Sequence, residues 1–138
     1  MVDISALTNS AGYLLEGVLV TLLLVALSLF IGFVCGIVLT LGQVYGPKVI
    51  KKLVGIYVWF FRGLPNIVLL FLFYFALFPF MGLGLPAFFV AVTVLGMRSA
   101  AYQSQIFRGA IESIASGQML AARSLGMTKW QAIRSIIL

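Results

Sequence analysis

Residues Gly117 to Leu138 read GQMLAARSLGMTKWQAIRSIIL, and they differ from the rest of the chain. Everything before them is strongly apolar. This stretch carries Arg123, Lys129 and Arg134 and no acidic residue. Ala121, Ala122 and Gly126 are small. The pattern predicts two short helices joined by a turn. The first runs from about Gln118 to Leu125, with Gly126 just past its end, where a positive φ costs glycine little. The second opens at Thr128 as N-cap, and Gln131, three residues on, completes a capping box. Apolar Ile133, Ile136 and Ile137 then lead toward another hydrophobic segment. A helix–turn–helix of small and basic residues suits a docking surface, because short side chains let a second surface come close.

Composition sets the class. The 138 residues are 63% hydrophobic and 9% charged, against roughly 25% charged in a soluble domain. The chain is therefore read as an all-α integral membrane protein. Its net charge of +6 comes from bases that flank apolar spans, so it reports topology rather than a nucleic-acid partner. Cys35 is the single cysteine and there is no histidine. An intrachain disulfide and a Cys/His metal site are both excluded. The start, Met1-Val2-Asp3-Ile4, lacks the basic region of a cleavable signal peptide, so the first span serves as the insertion signal.

From Gly17 to Pro47 no residue is charged. The apolar core, about 18–41, exceeds the ~20 residues that cross a bilayer and is the first transmembrane helix. Ser28, Gly32 and Gly36 recur every four residues along it. This small face predicts close helix packing within the subunit, with dimerisation as the alternative use. Gln43 to Lys52 reads as a loop with Gly46-Pro47 and three lysines. Leu53 to Arg62 reads as a short interfacial helix, with Tyr57, Trp59 and Phe60 beside bases, and it ends at Gly63. Pro65 fits the first position of a second span, about 65–81. Gly82 to Pro86 is a short uncharged turn. It does not follow a phosphate-loop pattern, and no GxxxxGK occurs anywhere. The third span is about 86–107.

Basic residues set the orientation. Lys48, Lys51, Lys52 and Arg62 lie in one connecting region, and Arg108, Arg123, Lys129 and Arg134 in the tail. The N-terminus and the 82–86 turn have no base. The positive-inside bias places the N-terminus outside, and residues 43–62 and 108–138 in the cytoplasm. That puts the docking stretch, about 113–135, on the side where ATP is available.

The tail also resembles a known motif. Permease subunits of ABC importers carry a cytoplasmic loop written E-A-A-x3-G-x9-I-x-L-P. Here Leu120-Ala121-Ala122 precedes three residues, Gly126, nine residues, and Ile136-Ile137-Leu138. Leu120 stands where the motif has Glu, and the sequence stops one residue before the Pro. Further phrases resemble the polar amino acid branch of that family. They are Phe61-Arg62-Gly63-Leu64-Pro65, Ala101-Tyr102 through Ile106-Phe107-Arg108-Gly109-Ala110-Ile111, and Gly117-Gln118 with Ala121 to Met127. The resemblance covers the chain from about Gly55 onward. It implies one permease domain, 1–138, of the type I importer fold, read as truncated from a five-helix core. It implies a second permease subunit, an ATPase subunit that uses ATP, and an extracytoplasmic substrate-binding protein. No cofactor is implied in this chain. The coupling residues it implies are Gly117, Gln118, Ala121, Ala122, Arg123 and Gly126.

No catalytic set is visible: no histidine, no carboxylate pair, no nucleotide loop. The chain is read as a transporter subunit of the multi-pass plasma or inner membrane, not as an enzyme. Arg98 lies about halfway along the third span, where a charge costs at least ~2.5 kcal/mol. Arg98, Tyr102 and Gln105 share a helix face at i, i+4 and i+7. One reading makes this stripe a translocation path, with Arg98 pairing a substrate carboxylate. The other has Arg98 satisfied by backbone carbonyls, or reaching the headgroups. Arg62 and Arg108 follow from topology, and Glu112 pairs with Arg108 one turn away. The rival class is a small structural or channel-like oligomer built through the Ser28–Gly32–Gly36 face, or an inactive permease fragment.

Overall fold

The computed structural model describes residues 4–113, 117, 121, 122, 124–128 and 131. Among these the ordered elements are helical, without a strand. Helix α1 spans Ile4–Tyr45, α2 Lys48–Gly63 and α3 Asn66–Phe71. A π-helical segment, Leu72–Leu77, continues into α4, Phe78–Phe80, and α5 spans Ala87–Glu112.

The 42 residues of α1 make a rod of about 63 Å at 1.5 Å per residue. It encloses the stretch 18–41 and runs well past it at the N-terminal end. Its leucines and valines from Leu14 to Leu29 are mostly exposed, which suits a helix surrounded by lipid. Ala11–Tyr45 is long and apolar enough to cross a membrane alone. Lys48–Gly63 and Asn66–Phe80, bent by 110°, meet the same test only as a pair, a broken span or a re-entrant loop. Helix α5 has the length, but Arg98, Gln103 and Gln105 interrupt its apolar run.

Prolines set the helix starts. Pro47, Pro65 and Pro86 are the N-caps of α2, α3 and α5, each with extended ψ of 147–163°. Their carbonyls accept the first intrahelical bonds, from Lys51, Leu69 and Val90. Pro65 thus sits one position earlier than the sequence pattern suggested. Proline also bars the preceding residue from the helical region. Leu64, at φ −99° and ψ 145°, ends α2 for that reason. Two extended residues in a row produce the sharp bend. The loop expected over Gln43–Lys52 contracts to Gly46–Pro47, because the lysines enter α2 as its exposed first turn.

Pro79 explains the π-segment. An α-turn would press its ring onto the carbonyl four residues back. The wider turn opens the ladder, and the Phe78 N–H donates to the Phe73 carbonyl instead. The bent rod formed by α3, the π-segment and α4 ends at Gly82, with φ +73°. Leu83 N–H donates to the Phe78 carbonyl at 2.8 Å and Gly82 N–H to that of Pro79 at 2.9 Å. That pair of bonds is a Schellman cap.

Helix α1 lies along α5 over its C-terminal half, and this is the most extensive contact in the fold. The small face predicted on α1 lies in it. A Cβ added at Gly32 would overlap the Ser99 side chain, and one at Gly36 would stand 3.1 Å from Gln103 Cβ. In return, Ile31 sits over Gly96, 2.9 Å from where its Cβ would be. Close approach allows polar bonds across the seam. Ser28 Oγ donates to the Val92 carbonyl at 3.4 Å and Thr40 Oγ1 to that of Ser104 at 3.1 Å. The face is therefore filled from within the chain, and oligomerisation through it has no surface left.

The second cluster joins α2 to the bent rod and α5. Val54, Val58 and Phe61 meet Leu69, Phe73 and Phe78, with Val90, Val94 and Ala101 beneath. Tyr57, Phe61, Phe73 and Phe78 form a run of rings with centroids 4.6, 6.0 and 5.5 Å apart. These pairs hold α2 folded back against the rod it precedes.

Candidate functional site

Two places concentrate the polar chemistry: the bend at Gly63–Leu64–Pro65, and the turn at Gly126. At the bend, α2 ends with unpaired carbonyls, as every helix does. Arg98 reaches across from α5 to meet them. Its Nη1 donates to the Phe61 carbonyl at 2.9 Å and to the Leu64 carbonyl at 2.5 Å. A cation at a helix C-terminus is also favoured by the helix dipole. Of the two readings of Arg98, the geometry gives satisfaction by backbone carbonyls. Its Nη2 faces the Tyr102 hydroxyl at 3.3 Å.

Tyr102 stands between two guanidinium groups. Arg98 Cζ is 5.2 Å from its ring centroid and Arg62 Cζ is 5.0 Å from it. Both are within cation–π range. Val58, Trp59, Arg62, Gly63 and Tyr102 line an open groove of ≈ 340 Å³. Gln105 does not join them. Its Nε2 donates to Gln43 Oε1 at 2.8 Å, which ties α5 to the end of α1. The stripe inferred from helical periodicity therefore divides, with Arg98 and Tyr102 at the bend and Gln105 in the α1 seam. Arg62 belongs to the groove and was read from sequence only as a topology marker. Its ring partner Tyr102 lies on another helix, so spacing within α2 could not reveal it. Arg108 pairs with Glu112 at 2.8 Å on the surface, worth a few tenths of a kcal/mol.

At the second place, Gly117, Ala121, Ala122 and Gly126 are described, while Gln118 and Arg123 lie outside the described residues. Gly126 has φ +82°. Met127 N–H donates to the Ala122 carbonyl at 3.1 Å, the long bond of a Schellman cap. The next turn is capped reciprocally. Thr128 N–H donates to Gln131 Oε1 at 2.9 Å, and Gln131 N–H to Thr128 Oγ1 at 3.3 Å. That is the capping box read from sequence. A Cβ at Gly126 would meet nothing within 4 Å, so the space beside it is open.

A family model described as "Binding-protein-dependent transport system inner membrane component" matches residues 28–138. The probable amino-acid ABC transporter permease YckA of Bacillus subtilis (strain 168) is 38% identical over 130 residues, 94% of this chain and 57% of that protein. The arginine transport system permease ArtQ of the same organism is 35% identical over 136 residues, 99% of this chain and 62% of that protein. The chain thus spans about three fifths of these relatives' length. A crystal structure of an amino acid ABC transporter with histidines superposes with a TM-score of 0.87 at 33% identity. That match covers 100% of this chain and 64% of the other. The fold is that of a type I importer permease. With the matched region covering most of the sequence, the chain belongs to the family of binding-protein-dependent transport system inner membrane components, the permeases of ABC importers.

Proposed function

We propose that the chain is a membrane-spanning permease subunit of an ATP-driven importer of amino acids. The names of the relatives support the solute class. The observation that carries the coupling role is the double-capped turn around Gly126, where Ala121 and Gly126 are exposed and Ala122 is buried beneath them. An ATPase subunit docks there. ATP is hydrolysed in that subunit, not in this chain. A second permease subunit completes the membrane part, and an extracytoplasmic substrate-binding protein delivers the solute. Closure of the ATPases pulls the docked loops, and the helices rock between outward- and inward-facing states. Substrate passes along the Tyr102 side of α5. Arg98 frames that path by holding the bend, and Gln105 closes the seam to α1.

The orientation follows from the bases: the N-terminus is outside, and residues 43–62 and 108–138 are in the cytoplasm. Single cysteines placed at Ser10 and at Ser116, in a Cys35→Ala background, test it. An impermeant thiol reagent added outside is expected to label position 10 alone. Outside labelling at position 116 would refute the orientation and the docking role together.

A further inference from the structure

The groove at the bend is lined by Arg62, which shares the Tyr102 ring with Arg98, and by no carboxylate. The whole chain has three acidic residues, Asp3, Glu16 and Glu112. Glu112 is occupied by Arg108. Among the described residues no ion pair is formed by Arg62 or Arg98. The two arginines differ in what they have instead. Arg98 spends its donors on the Phe61 and Leu64 carbonyls and on Tyr102. Arg62 has only the Tyr102 ring beneath it. Its N–H groups meet no acceptor among the described residues. It is exposed to the groove, flanked by Trp59, which is 76% exposed.

A guanidinium fork with free donors matches a carboxylate in geometry and charge. Aromatic walls on either side suit the carbon skeleton that follows it. Two sources of such an oxyanion share this chemistry: a solute carboxylate in a water-filled path, and a lipid phosphate at the cytoplasmic edge, where the bases place Arg62. Competition by the solute's amide and co-purification of lipid separate them.

We propose that Arg62, rather than Arg98, takes the carboxylate of the transported solute, with the Trp59 and Tyr102 rings walling its first carbons. This rests on the importer reading above and assigns the group that recognises the acid end of the solute. Arg98 is then a positioning residue, fixing the bend from which Arg62 projects.

The test uses the assembled transporter in lipid vesicles, with wild type, Arg62→Gln and Arg62→Lys. Uptake of the labelled L-amino acid that wild type transports fastest is measured, with its α-carboxamide as competitor. Arg62→Gln is expected to raise the apparent KM about tenfold or more, and to abolish the preference for acid over amide. Arg62→Lys keeps the charge, loses the fork, and retains part of the preference. An unchanged KM and preference in Arg62→Gln overturns the assignment while leaving the importer reading intact. Loss of co-purifying phospholipid from Arg62→Gln, with KM and preference unchanged, assigns the groove to a lipid headgroup and overturns it equally. Wild-type vesicles that take up no amino acid would sink the importer reading itself, and the assignment with it.

Discussion

Gly32→Leu is expected to separate α1 from α5 and to destroy the fold's main interface. The Cβ of any residue at position 32 overlaps Ser99, whose Cβ lies 2.5 Å from it, and stands 2.8 Å from Gln103 Nε2. Ser99 Cβ is fixed to the α5 backbone and cannot swing aside. The helices must move apart, and overpacking of this kind costs ~1–3 kcal/mol or more. The polar bonds across the seam, from Ser28 and Thr40, lengthen at the same time. In a lipid setting no hydrophobic force between helices compensates, since packing and hydrogen bonding supply the association. Thermal unfolding in detergent should therefore shift down by several degrees at least, with loss of membrane-inserted protein. Gly17→Leu is the control, because a Cβ there meets nothing within 4 Å. Equal stability of the two variants would show that the α1–α5 contact is not the fold's main support.

Arg98→Leu comes next in size. It strips the Phe61 and Leu64 carbonyls of their donor. Each buried acceptor left unpaired costs ~1–3 kcal/mol. It also frees the C-terminal end of α2 at the bend. Stability and uptake are expected to fall together, by ~2–5 kcal/mol in the first case. Arg98→Lys should be intermediate, since an ammonium can reach a carbonyl but lacks the planar fork. Limited proteolysis around Gly63 is the sensitive readout, because release of the bend exposes backbone that is held in the wild type. Full resistance to protease with uptake lost would mean that Arg98 acts on the solute and not on the bend.

The contrast between Arg62 and Arg98 shows what local sequence carries and what it does not. Helical spacing placed Arg98 and Tyr102 on one face, and they do meet. The four-residue recurrence of Ser28, Gly32 and Gly36 located the close approach of α1, though it did not say to which helix. The φ of Gly126 and the Thr128–Gln131 box follow from residues within a few positions, so they were legible. The Arg98–Phe61 bond joins positions 37 apart, and the Gln43–Gln105 bond positions 62 apart. No periodicity within a single helix reports such pairs. The π-segment arises from the steric demand of Pro79 on the turns before it, and hydropathy is blind to it. The length of α1 was underestimated for a related reason. Helix-compatible residues on both sides of an apolar core carry no stop signal until Gly46-Pro47.

Co-purification of the ATPase with Gly126→Val, alongside uptake in vesicles, is the most direct measurement. Valine at φ +82° is strained by ~1–3 kcal/mol, and the bond from Met127 to the Ala122 carbonyl loses its turn. The added side chain projects into space that is empty in the chain itself and that the proposed docking assigns to the partner. Leu120→Glu restores the acidic residue of the motif and is expected to be tolerated or to strengthen assembly. Gly109→Ala, at another open position in the middle of a helix turn, is the neutral control. The expected result is about tenfold or greater loss of bound ATPase with Gly126→Val, and uptake uncoupled from hydrolysis, while the other two variants keep both. Wild-type ATPase recovery and wild-type uptake with Gly126→Val would contradict the docking role of this turn.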